Sequence, residues 1–417
     1  MKITKFVYTL IVLVLLYIYL HNPILPNGIG SCKLLYVLAF IYILIKSRTF
    51  VSYIRLFKTE CLLLLILIAY SIFEFLASGE PNTMRLHMVG FMEYFVLPFF
   101  LINIVKLTGG KKYDYLIKYI MMTGCIGAVV TTACVVSPTI NEFVRTTFNK
   151  AVLDIMDDLR ANVMYRGFGI SEALTYSYGI IQGMIFGISL FYYRDNKWVL
   201  PFLFFIILSA ALNARTGIII AVFGALLFFW DSKKGTSFYV VIALFIIVLL
   251  NLTPILKIIG LSSQTIDWLT LFFEETDTVF SNMSLTSSGT TSYMFVDMFV
   301  LPSNISEWLF GCGFDIYYST SRRSDLGWII QLNYGGLLYF AIELYFLFYL
   351  YNRLKNTGNK TIAIFLAVAF IISNTKGPAL PNSGMIRLIM LLYCYYILKQ
   401  KEIKILIEKN KIAAKNI

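Results

Sequence analysis

LFGCGFDIYYSTSRRSDLGWIIQLNYGGLL, residues 309–338, holds the transition on which the reading of this chain turns. Its first half carries Gly311-Cys312-Gly313 and a charged patch of Asp315, Arg322, Arg323 and Asp325. Its second half, from about Gly327, is an apolar run with helical character. A polar loop that runs straight into a membrane-length helix is a place where charge is costly unless it does something.

Outward from this stretch, the chain has the composition of a membrane protein. Of its 417 residues, 59% are hydrophobic and 14% are charged. The mean hydropathy is +0.76. Apolar runs recur from end to end without the period-two alternation of a membrane β-barrel, and about 20 such residues cross a bilayer as a helix. Twelve spans are predicted, at 6–20, 31–45, 61–77, 88–105, 114–136, 173–193, 198–213, 217–230, 237–255, 327–351, 361–374 and 384–398. The first follows MKITK and lacks a small-residue cleavage site, so it reads as an uncleaved span. The expected fold is an all-α polytopic integral membrane protein, with residues 1–417 forming one membrane domain.

Lysine and arginine set the expected orientation. Lys2 and Lys5, Lys46 to Lys58, Lys106 to Lys118, Arg194 and Lys197, Lys233 and Lys234, Arg353 to Lys360, and the tail from Lys399 fall on alternate connections. Both termini are then cytoplasmic. Two long loops, 137–172 and 256–326, fall on the opposite, periplasmic face. The second is rich in aromatics (TIDWLTLFFEETDTVF, SYMFVDMFVLPSNISEWLF) and predicts short amphipathic helices at the membrane surface. The net charge of +12 is explained by these connections and does not suggest nucleic acid.

Several chemistries are not encoded. There is no phosphate-binding glycine loop of the GxxxxGK[ST] kind, and no HExxH or other metal-ligand spacing. The six cysteines lie in or beside apolar runs and read as small apolar residues. No cofactor and no metal are expected. Of the two histidines, His21 and His87, the second reads as an interfacial residue.

Glu74, Glu93, Glu343 and Arg387 lie inside or at the ends of predicted spans, where they pair or reach for the interface. A stronger signal is the arginines flanking helices on the predicted outer face: Arg166 in YRGFGISE, Arg215 in LNARTG, and Arg322 and Arg323 before the tenth span. Arginine presents a planar fork suited to phosphate oxygens. Arg166, Arg215, Arg322 and Arg323 converging from different helix ends make a diphosphate cradle; separate, they are surface anchors. A carboxylate beside the cradle can act as a general base. Asp325 is the first choice, Glu172 the second and Asp315 the third. Asp325 and Ser324 also read as helix N-caps.

Three patches resemble the bacterial O-antigen polymerase family and the related O-antigen ligases. They are YRGFGISEALTYSYGI at 165–180, LNARTGIII at 212–220, and the Gly-x-Gly and Gly-rich helix pattern of 309–338. The turn reads Asn-Ala-Arg where that family often has Ser before Arg, and the middle of the large loop lacks an arginine. No histidine follows position 87, and Asp325 stands where ligases tend to have one, which favours polymerase over ligase. The resemblance implies a polymerase that joins undecaprenyl-diphosphate-linked oligosaccharide repeat units on the periplasmic face of the bacterial inner membrane. The anomeric carbon of one lipid-linked chain leaves its diphosphate for a terminal hydroxyl of another. Asp325 or Glu172 would take the hydroxyl proton, Arg215 and its neighbours would hold the diphosphate, and Gly311, Gly313 and Asp315 would shape the loop. It also implies a chain-length regulator protein as a partner. A lipid-linked oligosaccharide flippase is the competing class, but transporters keep their ionisable residues near the midplane, whereas the sequence places its arginines at the rim.

Overall fold

The computed structural model describes residues 2–26, 28–109, 115–148, 169–172, 176–193, 197–231, 266, 292–318, 323–381 and 384–415. Among them the regular structure is helical, with one antiparallel bridge between Ile24 and Gly30. In chain order the longer helices are α1 (Lys2–His21), α2 (Cys32–Ile45), α3 (Ser47–Leu56), α4 (Lys58–Ser78) and α5 (Asn82–Phe91). A wider π-helical turn, Met92–Val96, joins α5 to α6 (Leu97–Gly109). Then come α7 (Tyr115–Val136), α8 (Pro138–Phe148), α9 (Tyr176–Tyr193), α10 (Leu200–Ala211) and α11 (Arg215–Asp231). The set ends with α12 (Ile305–Phe310), α13 (Gly327–Lys355), α14 (Lys360–Ser373) and α15 (Gly384–Lys415).

Four of these are long and apolar enough to cross a membrane: Lys58–Ser78, Asn82–Leu107, Tyr115–Val136 and Gly327–Lys355. The pair α2 and α3, bent by 105°, makes a fifth if it is one span. The predicted runs outside 237–255 each fall on a helix, but several are shorter than about 20 residues. Lys5–His21, Ser177–Tyr192, Leu200–Ala211, Thr216–Asp231 and Lys360–Ser373 are apolar helices of this shorter kind. The run 237–255 lies outside the described residues, as does most of the first aromatic stretch of the large loop. Of the second stretch, the structure has a turn at Tyr293–Asp297 and the short helix α12.

The surface is inverted relative to a soluble domain. Leu76, Ile45, Phe6 and Trp230 are exposed, whereas Glu60, Glu74, Glu93, Glu343, His21, His87 and Arg387 are buried. Apolar side chains outside and polar groups inside are what a hydrocarbon solvent selects. The helix ends sort into two groups. At one end Arg353 pairs with Glu60, and Lys106 Nζ lies 2.5 Å from Glu402 Oε1. At the other end lie His21, Ser78, Asn374, the Leu212–Ala214 turn and both described edges of the long loops.

The stretch 309–338 folds as one unit. Asn304 caps α12: its Oδ1 accepts the Glu307 N–H at 2.9 Å, and Glu307 Oε2 accepts the Ser303 N–H at 2.8 Å, a reciprocal capping arrangement. Gly311 ends α12 with φ +83°. The chain then lies across a break in α13, where Gly336 has φ 64° and ψ −168°. Breaking a helix frees carbonyls. Asn333 O takes the Cys312 N–H at 2.7 Å, and Tyr334 O takes the Gly313 N–H at 2.9 Å. The Tyr70 hydroxyl donates to Gly335 O at 2.7 Å. A Cβ at Gly311 would overlap the Tyr334 carbonyl, and one at Gly336 would overlap the Leu309 backbone. The predicted tenth span, a single run over 327–351, is therefore two helical pieces. The uninterrupted part, 337–355, is about 28 Å long at 1.5 Å per residue.

A second close approach joins α9 and α11. A Cβ at Gly183 would overlap the Gly217 carbonyl oxygen, and one at Gly217 would overlap that of Gly179. Small residues four apart on α9 (Gly179, Gly183, Gly187) let the two backbones touch, the usual way apolar helices associate in lipid. Gly217→Val is expected to destabilise the protein by about 1–3 kcal/mol, the range for overpacking. The check is a lowered melting temperature of the detergent-solubilised chain.

Candidate functional site

The first candidate centre forms where α1 ends. Asn22, at φ 42°, closes α1, and its N–H still bonds Ile18 O at 2.8 Å. The freed His21 carbonyl accepts the Glu172 N–H at 2.9 Å and the Ser171 hydroxyl at 3.1 Å. The Tyr17 hydroxyl donates to Ile170 O at 3.0 Å. Residues 169–172, the end of the first long loop, are thereby tied to the tip of α1.

This tether delivers Glu172 to a buried arginine. Arg387, three residues into α15, has a side chain only 1% exposed. Its Nη2 donates to Glu172 Oε1 and its Nη1 lies 3.4 Å from Glu93 Oε1. Glu93 projects from the π-helical turn, a local distortion that re-aims side chains and recurs at functional sites. The Tyr36 hydroxyl donates to Glu93 Oε1 at 2.8 Å. The Tyr19 hydroxyl lies 2.8 Å from Glu93 O and 2.9 Å from Arg387 O. Asn22 completes the ring: its Nδ2 donates to Glu172 Oε2, and its Oδ1 accepts the Cys32 N–H at 2.7 Å. Two carboxylates thus share one guanidinium. Glu93 is 2% exposed at its side chain, whereas Glu172 is 27% exposed and is the face of the cluster that meets solvent. Such a carboxylate, fixed on two sides and open on a third, can accept a proton from a bound hydroxyl or hold a polar ligand.

The second candidate centre is the loop before α13. Arg323 is exposed, its Nε 3.9 Å from Asp325 Oδ1 and its guanidinium 5.6 Å from the Tyr317 ring centre. Asp315 Oδ1 accepts the Tyr317 N–H at 2.9 Å and starts the 3-10 turn Ile316–Tyr318. Burial raises the Asp315 carboxyl above the usual aspartate range, and the Tyr317 N–H partly offsets this. Gly311 and Gly313 hold the crossing over α13 described above. Asp325 does not cap α13: the N-cap is Leu326, without a side-chain bond, and Ser324 Oγ instead accepts the Leu326 N–H at 3.1 Å.

Of the four arginines in the predicted cradle, Arg166 and Arg322 lie outside the described residues. Arg215, expected within the turn between two spans, is the first residue of α11 after the Leu212–Ala214 turn, and its side chain also lies outside them. Among the described residues, Glu172 bonds Asn22 and Arg387, whereas Asp315 bonds the Tyr317 N–H and Asp325 lies by Arg323. His87 is fully buried, with Nε2 2.7 Å from the Tyr339 hydroxyl. None of the described cysteines forms a disulfide. No group of three or more His, Cys, Asp or Glu among the described residues could hold a metal ion.

The Arg387–Glu93 pairing had a trace in the sequence. Each is a lone charge in an apolar run, GMIRLIMLL and FMEYFVLPFF, and opposite lone charges in membrane helices tend to meet. The inclusion of Glu172 and Asn22 had none, because it depends on where α1 ends.

Arg387→Met leaves Glu93 buried without its counter-charge and is expected to cost about 3–5 kcal/mol. The double variant Arg387→Met/Glu93→Gln removes the stranded charge and should recover much of that loss. Melting temperatures of the three proteins in detergent provide the check.

No protein-family model matches the chain, and no curated protein matches it.

Proposed function

We propose that this chain is a glycosyltransferase of the O-antigen polymerase type, embedded in a bacterial inner membrane by twelve spans with both termini cytoplasmic. It joins undecaprenyl-diphosphate-linked oligosaccharide units at the periplasmic face. The observation that carries the reading is the half-open Glu172–Arg387 pair, set at the bundle end to which both long loops run. Glu172 lies in the first of the three patches that resemble that family, and the loop crossing at Gly311–Gly313 lies in the third.

In this reading Glu172 takes the proton of the acceptor hydroxyl as that oxygen attacks the donor's anomeric carbon. Arg387 and Asn22 keep its carboxylate from swinging away and so act as positioning residues. Arg215, Arg322, Arg323 and Arg166 hold the diphosphate that departs, and fixed cations there stabilise the charge developing on it. Asp325, held near Arg323, orders that second centre.

A lipid-linked oligosaccharide carrier is the second reading. The observation that favours it is the burial of Glu93, Glu343 and Arg387 within the helix bundle, since interior ionisable groups mark transport pathways.

A strain lacking the gene separates the two. Surface polysaccharide ending as a single capped repeat, with no ladder on a gel, is the polymerase outcome. Lipid-linked units trapped on the cytoplasmic side would establish the carrier, and polymer accumulating unattached on its lipid would establish a ligase. Returning Glu172→Gln or Arg215→Ala to the strain is expected to lower polymerisation at least 100-fold, the lower range for a lost general base. Membrane levels of the protein should stay unchanged.

A further inference from the structure

The break in α13 carries a chain of buried polar side chains that the proposed reaction does not use. On a straight helix, residues twelve apart stand about 18 Å apart along the axis. Across Gly336, Gln331 and Glu343 are in contact, with Gln331 Nε2 donating to Glu343 Oε1 at 2.6 Å. The rings of Trp328 and Phe340, also twelve apart, have their centres 5.6 Å apart. The two pieces of the helix are thus strapped together over the break.

The strap has a fixed direction. The Ala379 N–H can only donate, so the atom of Asn374 that it meets at 2.6 Å is Oδ1. The Asn374 amide must then turn its Nδ2 to Gln331 Oε1, 2.7 Å away. That in turn leaves the Gln331 Nε2 to face Glu343. All three side chains are buried, Glu343 completely. Its second oxygen, Oε2, is buried with no hydrogen-bond partner.

Among the described residues, the surroundings of Glu343 bring no positive charge. On its own helix Tyr339 faces it, with its hydroxyl 2.7 Å from His87 Nε2 of α5. The π-helical turn contributes Tyr94. From α4, Tyr70 packs on the Tyr339 ring and Glu74 lies beyond it. From α14 the contact is the neutral Asn374. On α15, Arg387 is committed to Glu93 and Glu172. No basic side chain among the described residues pairs with Glu343. An ionised carboxylate here would be an uncompensated charge in a low-dielectric interior, at a cost of several kcal/mol even after relaxation. A carboxylic acid requires no counter-charge.

We propose that Glu343 is a proton-binding site in the core of the bundle, occupied by one proton on Oε2 while Oε1 accepts the Gln331 amide. The proton comes from water and returns to water, and only an O–H bond is made or broken. The strap spans the same break on which Cys312 and Gly313 dock, so proton loading and loop docking act on one element. The inference is independent of whether the chain is a polymerase or a carrier.

Two measurements on the full chain in detergent test it. The infrared spectrum of the wild-type protein at neutral pH should contain the carbonyl band of a protonated carboxyl that is missing from Glu343→Gln. That variant, which keeps the shape of the neutral acid, should melt within a few degrees of wild type. Independently of any variant, dicyclohexylcarbodiimide, which attacks protonated carboxyls in apolar surroundings, should label Glu343 in a peptide map, and sodium chloride should not protect it. A wild-type spectrum that differs from Glu343→Gln in carboxylate bands instead would overturn the proposal. So would an unlabelled Glu343, or protection by sodium, which would mean a metal cation at this carboxylate.

Discussion

The arrangement at the loop end of the bundle depends on one buried cation. Arg387 is enclosed by apolar neighbours on α15, and a guanidinium there is tolerable only if its charge is met. Glu93 meets it from the π-helical turn and Glu172 from the first long loop. Because α1, α2, the π-helical turn, α15 and residues 169–172 all supply partners to this cluster, its electrostatic requirement fixes their relative positions. The Tyr19 and Tyr36 hydroxyls and the Asn22 amide occupy further hydrogen-bonding atoms there. Removing one partner strands another, and this gives the cluster its specificity.

A similar requirement governs the far side of the same end. Breaking α13 at Gly336 exposes backbone carbonyls that hydrocarbon cannot satisfy. The loop that follows α12 supplies the N–H groups of Cys312 and Gly313, and α4 supplies Tyr70. The loop is held because the helix is broken, and the helix can be broken because the loop is there. Glycine at 311 and 336 is needed on steric grounds as well as for positive φ. The residues around the two centres, Glu172 with Arg387 and Arg323 with Asp325, are placed by these two backbone and charge requirements.

The class of fold was legible in composition and hydrophobic runs, since a chain with mean hydropathy +0.76 has few ways to fold. Helix positions were legible too: α4, α7 and α11 begin and end within a few residues of the predicted runs. The break at Gly336 was not, because Tyr-Gly-Gly within an apolar run reads equally well as a lipid-facing or close-packed helix. The glycine face Gly179, Gly183 and Gly187 was readable as small residues four apart but gains meaning only beside Gly217. The importance of the 309–338 stretch was visible as Gly-x-Gly and charge, whereas its backbone bonds to α13 were not. Glu172 was legible only as a loop carboxylate. Its partner Arg387 lies over 200 positions away, and no local pattern joins them.

The central claim is that Arg387 holds the end of the first long loop onto the bundle. Hydrogen–deuterium exchange of the Glu172 amide, which donates to the His21 carbonyl, tests it most directly. The account predicts slow exchange in the wild-type chain and markedly faster exchange in Arg387→Met, with the amides of α7 unchanged. Equal protection of residues 169–172 in both proteins would contradict it.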